Sequence, residues 1–124
     1  MAQLASILEG IARGVDMFDC VMPTRNGRNG MIFTQNGIMN LRNKKWENDF
    51  TELDPCGTSY VDHHYSRAYV RHLIHAQEML GLEILSIHNL AFYLWLVGEA
   101  RKHILAGDFK VWKDDITPQL MQRM

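Results

Sequence analysis

Residues 15–22 constrain the fold of this chain more than any other stretch, because they read Val-Asp-Met-Phe-Asp-Cys-Val-Met and are followed by Pro23. Apolar side chains on both faces of this segment predict a strand that is buried on both sides, as in parallel α/β sheets. Such a strand needs parallel neighbours and covering helices. The chain contains no second strand of this kind, so we expect it to be the end of a larger α/β protein or to be completed by a partner.

The segments on either side of this strand predict a helix and a hairpin. Residues 2–13 carry apolar side chains at helical spacing, and Gly14 is placed to close that helix. After Pro23, residues 26–30 read Asn-Gly-Arg-Asn-Gly and predict a loop. Two apolar runs, 31–34 and 38–41, then flank the turn sequence Gln-Asn-Gly. Asn-Gly between such runs is a strong hairpin signal, because both turn residues must accept a positive φ.

The second half of the chain predicts helices, after an irregular connection over residues 43–62. A first helix runs from residue 64 to a stop at Gly81. A second runs from about residue 87 to 106, with Ser86 as its cap and Gly107 as its stop. Its predicted inward side chains are Leu90, Leu94, Val97 and Ile104. A last helix over residues 109–121 is interrupted by Pro118.

Length, composition and charge indicate one globular domain. The chain has 124 residues, 47% of them hydrophobic, and a formal net charge of -1, so disorder and a global attraction to polyanions are both excluded. A local basic patch remains: residues 25–45 contain five cations and no acid. Its members are Arg25, Arg28, Arg42, Lys44 and Lys45. By itself this patch is typical of a solvated basic loop.

Two cysteines, Cys20 and Cys56, are too few for a disulfide scaffold and favour a reducing, cytoplasmic setting. Residues 1–14 contain Glu9 and Arg13 and lack the apolar core of a signal peptide. The most apolar run covers residues 90–97, far short of the ~20 residues needed to span a bilayer. We therefore expect a soluble protein with no membrane partner.

Residues 14–30, Gly-Val-Asp-Met-Phe-Asp-Cys-Val-Met-Pro-Thr-Arg-Asn-Gly-Arg-Asn-Gly, closely resemble the segment around the nucleophile of bacterial tRNA-guanine transglycosylases, also called queuine tRNA-ribosyltransferases. Residues 65–69 (Tyr-Ser-Arg-Ala-Tyr) and 87–90 (Ile-His-Asn-Leu) match the same family in the same order. The resemblance covers nearly the whole chain.

The resemblance implies an α/β fold, the C-terminal part of a TIM (β/α)₈ barrel with an inserted hairpin-plus-helix subdomain. Residues 1–23 would hold the last αβ unit, with 2–13 as the seventh helix and 15–22 as the eighth strand. Residues 24–85 would form the inserted, RNA-facing subdomain, and 86–124 the closing barrel helix and a C-terminal helix. A complete barrel needs about 250 residues, so we expect an incomplete barrel in this chain.

The family exchanges guanine at wobble position 34 of certain tRNAs for the queuosine precursor preQ1, a 7-deazaguanine. By resemblance, Asp19 falls on the family's nucleophile. Such a carboxylate can trap an oxocarbenium-like state at C1′ of the ribose as a covalent ester, as retaining glycosidases do. Asp16 is three residues away, and a regular strand would place it on the opposite face, in a structural role. The residues that fall on the stretch recognising the anticodon around the wobble base are Thr24, Arg25, Asn26, Gly27 and Arg28.

The family usually binds a structural zinc through a Cys-x-Cys-x-x-Cys run and a downstream histidine. His88 matches that histidine, but the three cysteine positions align with Gly57, Ser59 and Asp62. A structural zinc site requires four N or S ligands. We therefore expect no metal and no cofactor, with His88 hydrogen-bonded in the subdomain core. A substitute zinc set can be drawn from Cys56, Asp62, His63 or His64, and His88, but it follows no established ligand spacing.

Two functional hypotheses follow. In the first, the chain is the C-terminal portion of a transglycosylase whose partners are the tRNA anticodon loop and the guanine or preQ1 base. The isolated chain would then be inactive, because the resemblance places the nucleobase pocket in a preceding part. In the second, it is a stand-alone RNA-binding or oligomerisation module without catalysis. We also expect a homodimer, because a lone apolar strand and the helix at 87–106 would otherwise expose large apolar patches.

Overall fold

The computed structural model describes residues 3–18 and 22–124. Over these residues the chain is rich in helix and contains one two-stranded sheet. The elements in chain order are α1 (Gln3–Ala12), α2 (Met22–Arg28), β1 (Met31–Thr34), β2 (Gly37–Asn40), a 3₁₀ turn (Lys44–Trp46), α3 (Val61–His64), α4 (Arg67–His75), α5 (Met79–Ala106) and α6 (Phe109–Met121).

The predicted hairpin is confirmed. β1 and β2 pair antiparallel, with Ile32 opposite Met39 and Phe33 opposite Ile38. The turn differs from the Asn-Gly type expected, because Gly37 lies at φ 133° while Asn36 does not have a positive φ. The hydroxyl of Thr34 stabilises the turn instead: it donates to the carbonyl of Gly37 at 2.8 Å and accepts from the amide of Asn36 at 3.2 Å.

Both faces of the hairpin are buried, since successive strand residues point to opposite sides. Ile32 and Met39 belong to one core, which also contains side chains of α4, the first turns of α5 and the connection after β2. Phe33 and Ile38 belong to a second core, which is completed by α1, α6 and the middle of α5. The hairpin therefore lies between two apolar clusters and joins them.

The long helix α5 packs against α2, β1, α3, α4 and α6, so it organises the described part of the chain. It ends at Gly107, in the left-handed conformation at φ 82°, as predicted. The predicted start near residue 87 is wrong, because α5 begins at Met79. Gly81 is not a helix stop either. It lies inside α5, where a Cβ would come within 3.0 Å of Leu73 Cβ, and α4 ends earlier, before Gln77 reverses the chain at φ 59°.

The buried face of α5 also differs from the predicted one. Leu94, expected to point inward, is 71% exposed, and Leu90 and Ile104 are exposed as well. Hydrogen bonds of a buried side chain determine which face points inward. Asn89 accepts from the Phe33 amide at 3.2 Å and donates to the Pro23 and Met31 carbonyls at 3.0 and 2.9 Å. These bonds fix the rotation of the helix. By length and composition α5 could cross a bilayer, but its buried face is bonded to the hairpin and to α2, as in the core helix of a globular domain.

The strand predicted at 15–22 is not formed where the structure describes it. Residues 15–18 are irregular, with Met17 87% and Phe18 39% exposed, and Met22 already begins α2. Residues 19–21 lie outside the described part. A strand buried on both faces needs neighbours to bond its backbone, and among the described residues the hairpin is the only sheet. The strand expected to be the eighth of a barrel is thus not formed at residues 15–18, where no described strand bonds their backbone.

The loop predicted after Pro23 is also wrong, because α2 covers residues 22–28. Pro23 lies in the first turn of α2, where its missing N–H costs no helical bond. The predicted helix over residues 2–13 is confirmed as α1, with Gly14 at φ 98°, and the predicted last helix is confirmed as α6, with Pro118 inside it.

The residues after α6 lie against the hairpin edge. The amide of Ile38 donates to the carbonyl of Gln122 at 2.8 Å, and the amide of Met124 donates to the carbonyl of Ile38 at 2.9 Å. A Cβ at Gly37 would overlap the Gln122 carbonyl, so this glycine permits the close approach. The outer edge of β2 is therefore covered by the end of the chain.

Candidate functional site

The five predicted recognition residues lie together on one short helix. In α2, Arg25 and Arg28 are exposed, Thr24 and Asn26 are partly buried, and Gly27 is buried. A Cβ on Gly27 would approach the Ser86 amide nitrogen to 2.9 Å, so the glycine lets α2 lie directly against α5. The two guanidinium groups are thereby presented on a rigid support rather than on a flexible loop.

Asn89 fixes the other end of this support through its bond to the Pro23 carbonyl. A buried amide that satisfies three backbone groups of α2 and β1 holds these elements in one geometry. The sequence indicated Asn89 only as part of a matched motif and did not reveal this positioning role.

The predicted nucleophile Asp19 lies outside the described residues. The structure places its chain neighbours: Asp16 is exposed three residues before it, and α2 begins three residues after it. A side chain at position 19 is therefore close in the chain to the arginines of α2.

Two of the five patch cations share a cleft. Arg28 and Arg42 line a cavity of about 330 Å³ together with His75 and Glu78. Arg42 is held there because its Nε donates to the Asn29 carbonyl at 3.1 Å. Two guanidinium groups in one opening suit an anionic ligand such as a phosphate group. Sequence analysis missed His75, which is distant in sequence.

The residues at the family's zinc position do not fit a zinc ion. Gly57 offers no ligand atom, and a Cβ there would overlap the carboxylate of Asp62. That carboxylate accepts from the Ser59 amide at 3.1 Å and pairs with His88 Nδ1. Ser59 Oγ accepts from the Val61 amide within the same turn, at 3.4 Å. Position 57 aligns with the family's first cysteine and position 62 with its third. The Asp62 carboxylate therefore fills the space that the first cysteine side chain would need.

Both ring nitrogens of His88 are used. Nδ1 pairs with Asp62, and Nε2 lies 2.7 Å from the Phe33 carbonyl oxygen. Both partners offer acceptor oxygens, so a protonated ring can donate a hydrogen bond from each nitrogen. Burial alone would lower the pKa of His88, but the hydrogen bond and negative charge of Asp62 outweigh it and raise the pKa above the ordinary value.

Asp54 completes a buried group of three ionisable side chains with Asp62 and His88, whose ligand-type atoms all lie within 4.8 Å of one another. Its Oδ1 accepts from the Cys56 amide at 3.2 Å, while its Oδ2 has no partner among the described residues. Burial raises the pKa of Asp54, and the charge of His88 opposes that shift. From the sequence, Asp54 is placed only in the irregular connection over residues 43–62.

The substitute zinc set drawn from the sequence is not assembled. Cys56 is exposed. His63 is half exposed and bonded to Glu52 and to the Gly57 carbonyl. His64 packs edge-on against Tyr65. Of that set, only Asp62 and His88 come together.

Sequence comparison identifies the relatives of this chain. The sequence model of the family described as queuine tRNA-ribosyltransferase matches residues 2–122. The queuine tRNA-ribosyltransferase of Acidithiobacillus ferrooxidans is 48% identical over 109 residues, which is 88% of this chain and 29% of the relative. That of Lactococcus lactis subsp. cremoris is 47% identical over 110 residues, 89% of this chain and 29% of the relative. That of Aquifex aeolicus is 43% identical over 118 residues, 95% of this chain and 31% of the relative.

The chain thus spans less than a third of the length of these curated relatives and corresponds to their C-terminal portion. The match includes position 19, α2 and the hairpin. The chain belongs to the queuine tRNA-ribosyltransferase family.

Proposed function

We propose that the protein to which this chain contributes is a tRNA-guanine transglycosylase, which exchanges guanine at the wobble position for preQ1. The observation that carries the proposal is the family match over residues 2–122, at 43 to 48% identity to the relatives described above. The exposed arginines of α2 support it, because an anionic anticodon loop requires cations on a fixed surface.

In the proposed reaction, a carboxylate oxygen of Asp19 attacks C1′ of the ribose as the C1′–N9 bond to guanine breaks. Guanine leaves after it gains a proton. N9 of preQ1 then attacks C1′, the ester bond to Asp19 breaks, and N9 loses its proton. Two displacements at one carbon restore the original configuration, as in retaining glycosidases.

Arg25 and Arg28 act in binding rather than in bond breaking. The target base must leave the stack to reach a nucleophile beneath its ribose, which costs a few kcal/mol of stacking. Cations on α2 offset this cost by holding the neighbouring phosphates or base edges. Because Gly27 and Asn89 fix α2 against α5 and β1, that position is retained when RNA binds.

The isolated chain is proposed to be inactive and to self-associate. The family resemblance implies that the nucleobase pocket lies in a preceding part of the protein. Apolar side chains are exposed at Met17 and along α5 at Leu94 and Leu105, where the remaining strands and helices of a barrel would pack. In a complete protein, cytoplasmic and homodimeric, these surfaces would be covered.

The test is incorporation of radiolabelled guanine into unfractionated tRNA. The chain would be fused to the preceding portion of the Acidithiobacillus ferrooxidans relative and compared with that relative and with the isolated chain. We expect incorporation by the fusion and none by the isolated chain. A folded but inactive fusion that still binds tRNA would favour the binding-module alternative.

A further inference from the structure

The residues that align with the family's zinc ligands form a different arrangement in this chain. The segment of residues 54–62, which ends in the first turn of α3, meets the hairpin and α5 at one buried point, where His88 contacts Asp62 on one side and Phe33 on the other. Asp62 and His88 are each 1% exposed. The family's ligand positions, 57, 59 and 62 together with the histidine at 88, would link only this segment and α5.

Both ring nitrogens of His88 are already engaged at this point. Nδ1 contacts the Asp62 carboxylate and Nε2 lies 2.7 Å from the Phe33 carbonyl oxygen, with the Asp54 carboxylate in the same buried group. His88 could bind a divalent cation only by giving up one of these two contacts.

The geometry at Gly57 shows that the residues replacing the three cysteines fit one another. The Asp62 carboxylate fills the volume that a side chain at position 57 would need. It is also fixed by the Ser59 amide. The three replacements are therefore coupled: the small residue at 57 accommodates the carboxylate at 62, and the backbone at 59 binds it.

We propose that this subdomain folds without zinc, and that the Asp62–His88 pair replaces the metal as the link between residues 54–62 and α5, while His88 also bonds the hairpin through the Phe33 carbonyl. A buried pair of this kind stabilises only while both partners are present and their remaining bonds are satisfied. The inference concerns stability and metal content, so it can fail or hold independently of the proposed exchange reaction.

The first experiment measures zinc in the chain purified from cells grown with added zinc, and its melting temperature with and without EDTA. We expect far less than one zinc per chain and the same melting temperature in both conditions. About one zinc per chain, removed by EDTA with a fall in melting temperature, would overturn the proposal.

The second experiment introduces cysteines at the three positions that align with the family's zinc ligands. The triple variant Gly57→Cys, Ser59→Cys, Asp62→Cys frees His88 and provides a Cys₃His set. We expect it to bind about one zinc per chain and to melt lower in EDTA. Gly57→Cys alone should melt lower than the parent in either condition, because its side chain meets Asp62. A single variant that melts like the parent would contradict the proposed coupling, and if the triple variant does not fold, the metal content of the parent chain decides.

Discussion

His88 Nε2 lies 2.7 Å from the carbonyl oxygen of Phe33, so the longest helix of the chain is bonded through its buried histidine to the first strand of the hairpin. The other ring nitrogen pairs with Asp62. Through this one side chain, α5, the hairpin and the first turn of α3 hold one another in position.

Replacing His88 by Gln is expected to lower the free energy of unfolding by about 3–5 kcal/mol, because it leaves the Asp62 carboxylate buried without its histidine partner. Urea unfolding measures the change. The matched control is His63→Gln, which removes a half-exposed histidine–carboxylate pair and should change stability little. The double variant Asp62→Asn, His88→Gln should lose less than the sum of the single losses. Additive losses would show that the two side chains are not coupled.

Gly27→Ala should destabilise the chain by about 1–3 kcal/mol, because the new methyl group meets the backbone of Ser86 and must push α2 away from α5. Thermal unfolding measures it. Arg25→Ala, an exposed change on the same helix, serves as the control and should leave the melting temperature unchanged. Equal stability of the two variants would mean that α2 does not depend on close contact with α5.

Arg25→Ala and Arg28→Ala should each weaken binding of an anticodon stem-loop RNA by about tenfold and reduce the salt slope by about one. Fluorescence anisotropy at several salt concentrations measures both quantities. Lys102→Ala removes an exposed cation near the far end of α5 and should leave binding unchanged. An equal loss for all three variants would indicate attraction to net charge rather than a site on α2.

Acid should weaken the link between Asp49 and α4. The hydrogen bond from the Thr51 hydroxyl, with further bonds from the Thr51 amide and Arg67, lowers the pKa of Asp49 below its ordinary value of 3.8. A lowered folded-state pKa adds stability that is present above 3.8 and is lost as pH falls through the folded-state pKa. Asp49→Asn should therefore cost about 1 kcal/mol at neutral pH and less as pH falls below 3.8. Unfolding measured from pH 7 to 2.5 tests this, and a pH-independent difference would contradict it.

Local signals in the sequence were sufficient for the hairpin, α1, α6 and the end of α5. The turn at residues 35–37, the glycines at 14 and 107, and the periodicity of residues 109–121 each act within a few residues, so the surrounding fold does not override them.

The features that sequence analysis placed wrongly depend on distant contacts. Residues 15–18 read as a strand, but a strand needs bonding neighbours. Gly81 read as a helix stop, but it is a contact point with Leu73. The buried face of α5 is set by the bonds of Asn89 to α2 and β1, which no hydrophobic pattern encodes. Asp54 joined the candidate site only once the fold brought it to Asp62 and His88.

Position 19 is proposed to carry the nucleophile of a transglycosylase. Asp19→Asn in the fusion described above tests this role, with Asp16→Asn as the control three residues away. We predict that Asp19→Asn lowers the rate of guanine incorporation by about 10⁴-fold or more while RNA affinity stays close to that of the parent, and that Asp16→Asn keeps the parent rate. Incorporation at the parent rate by Asp19→Asn would contradict the account.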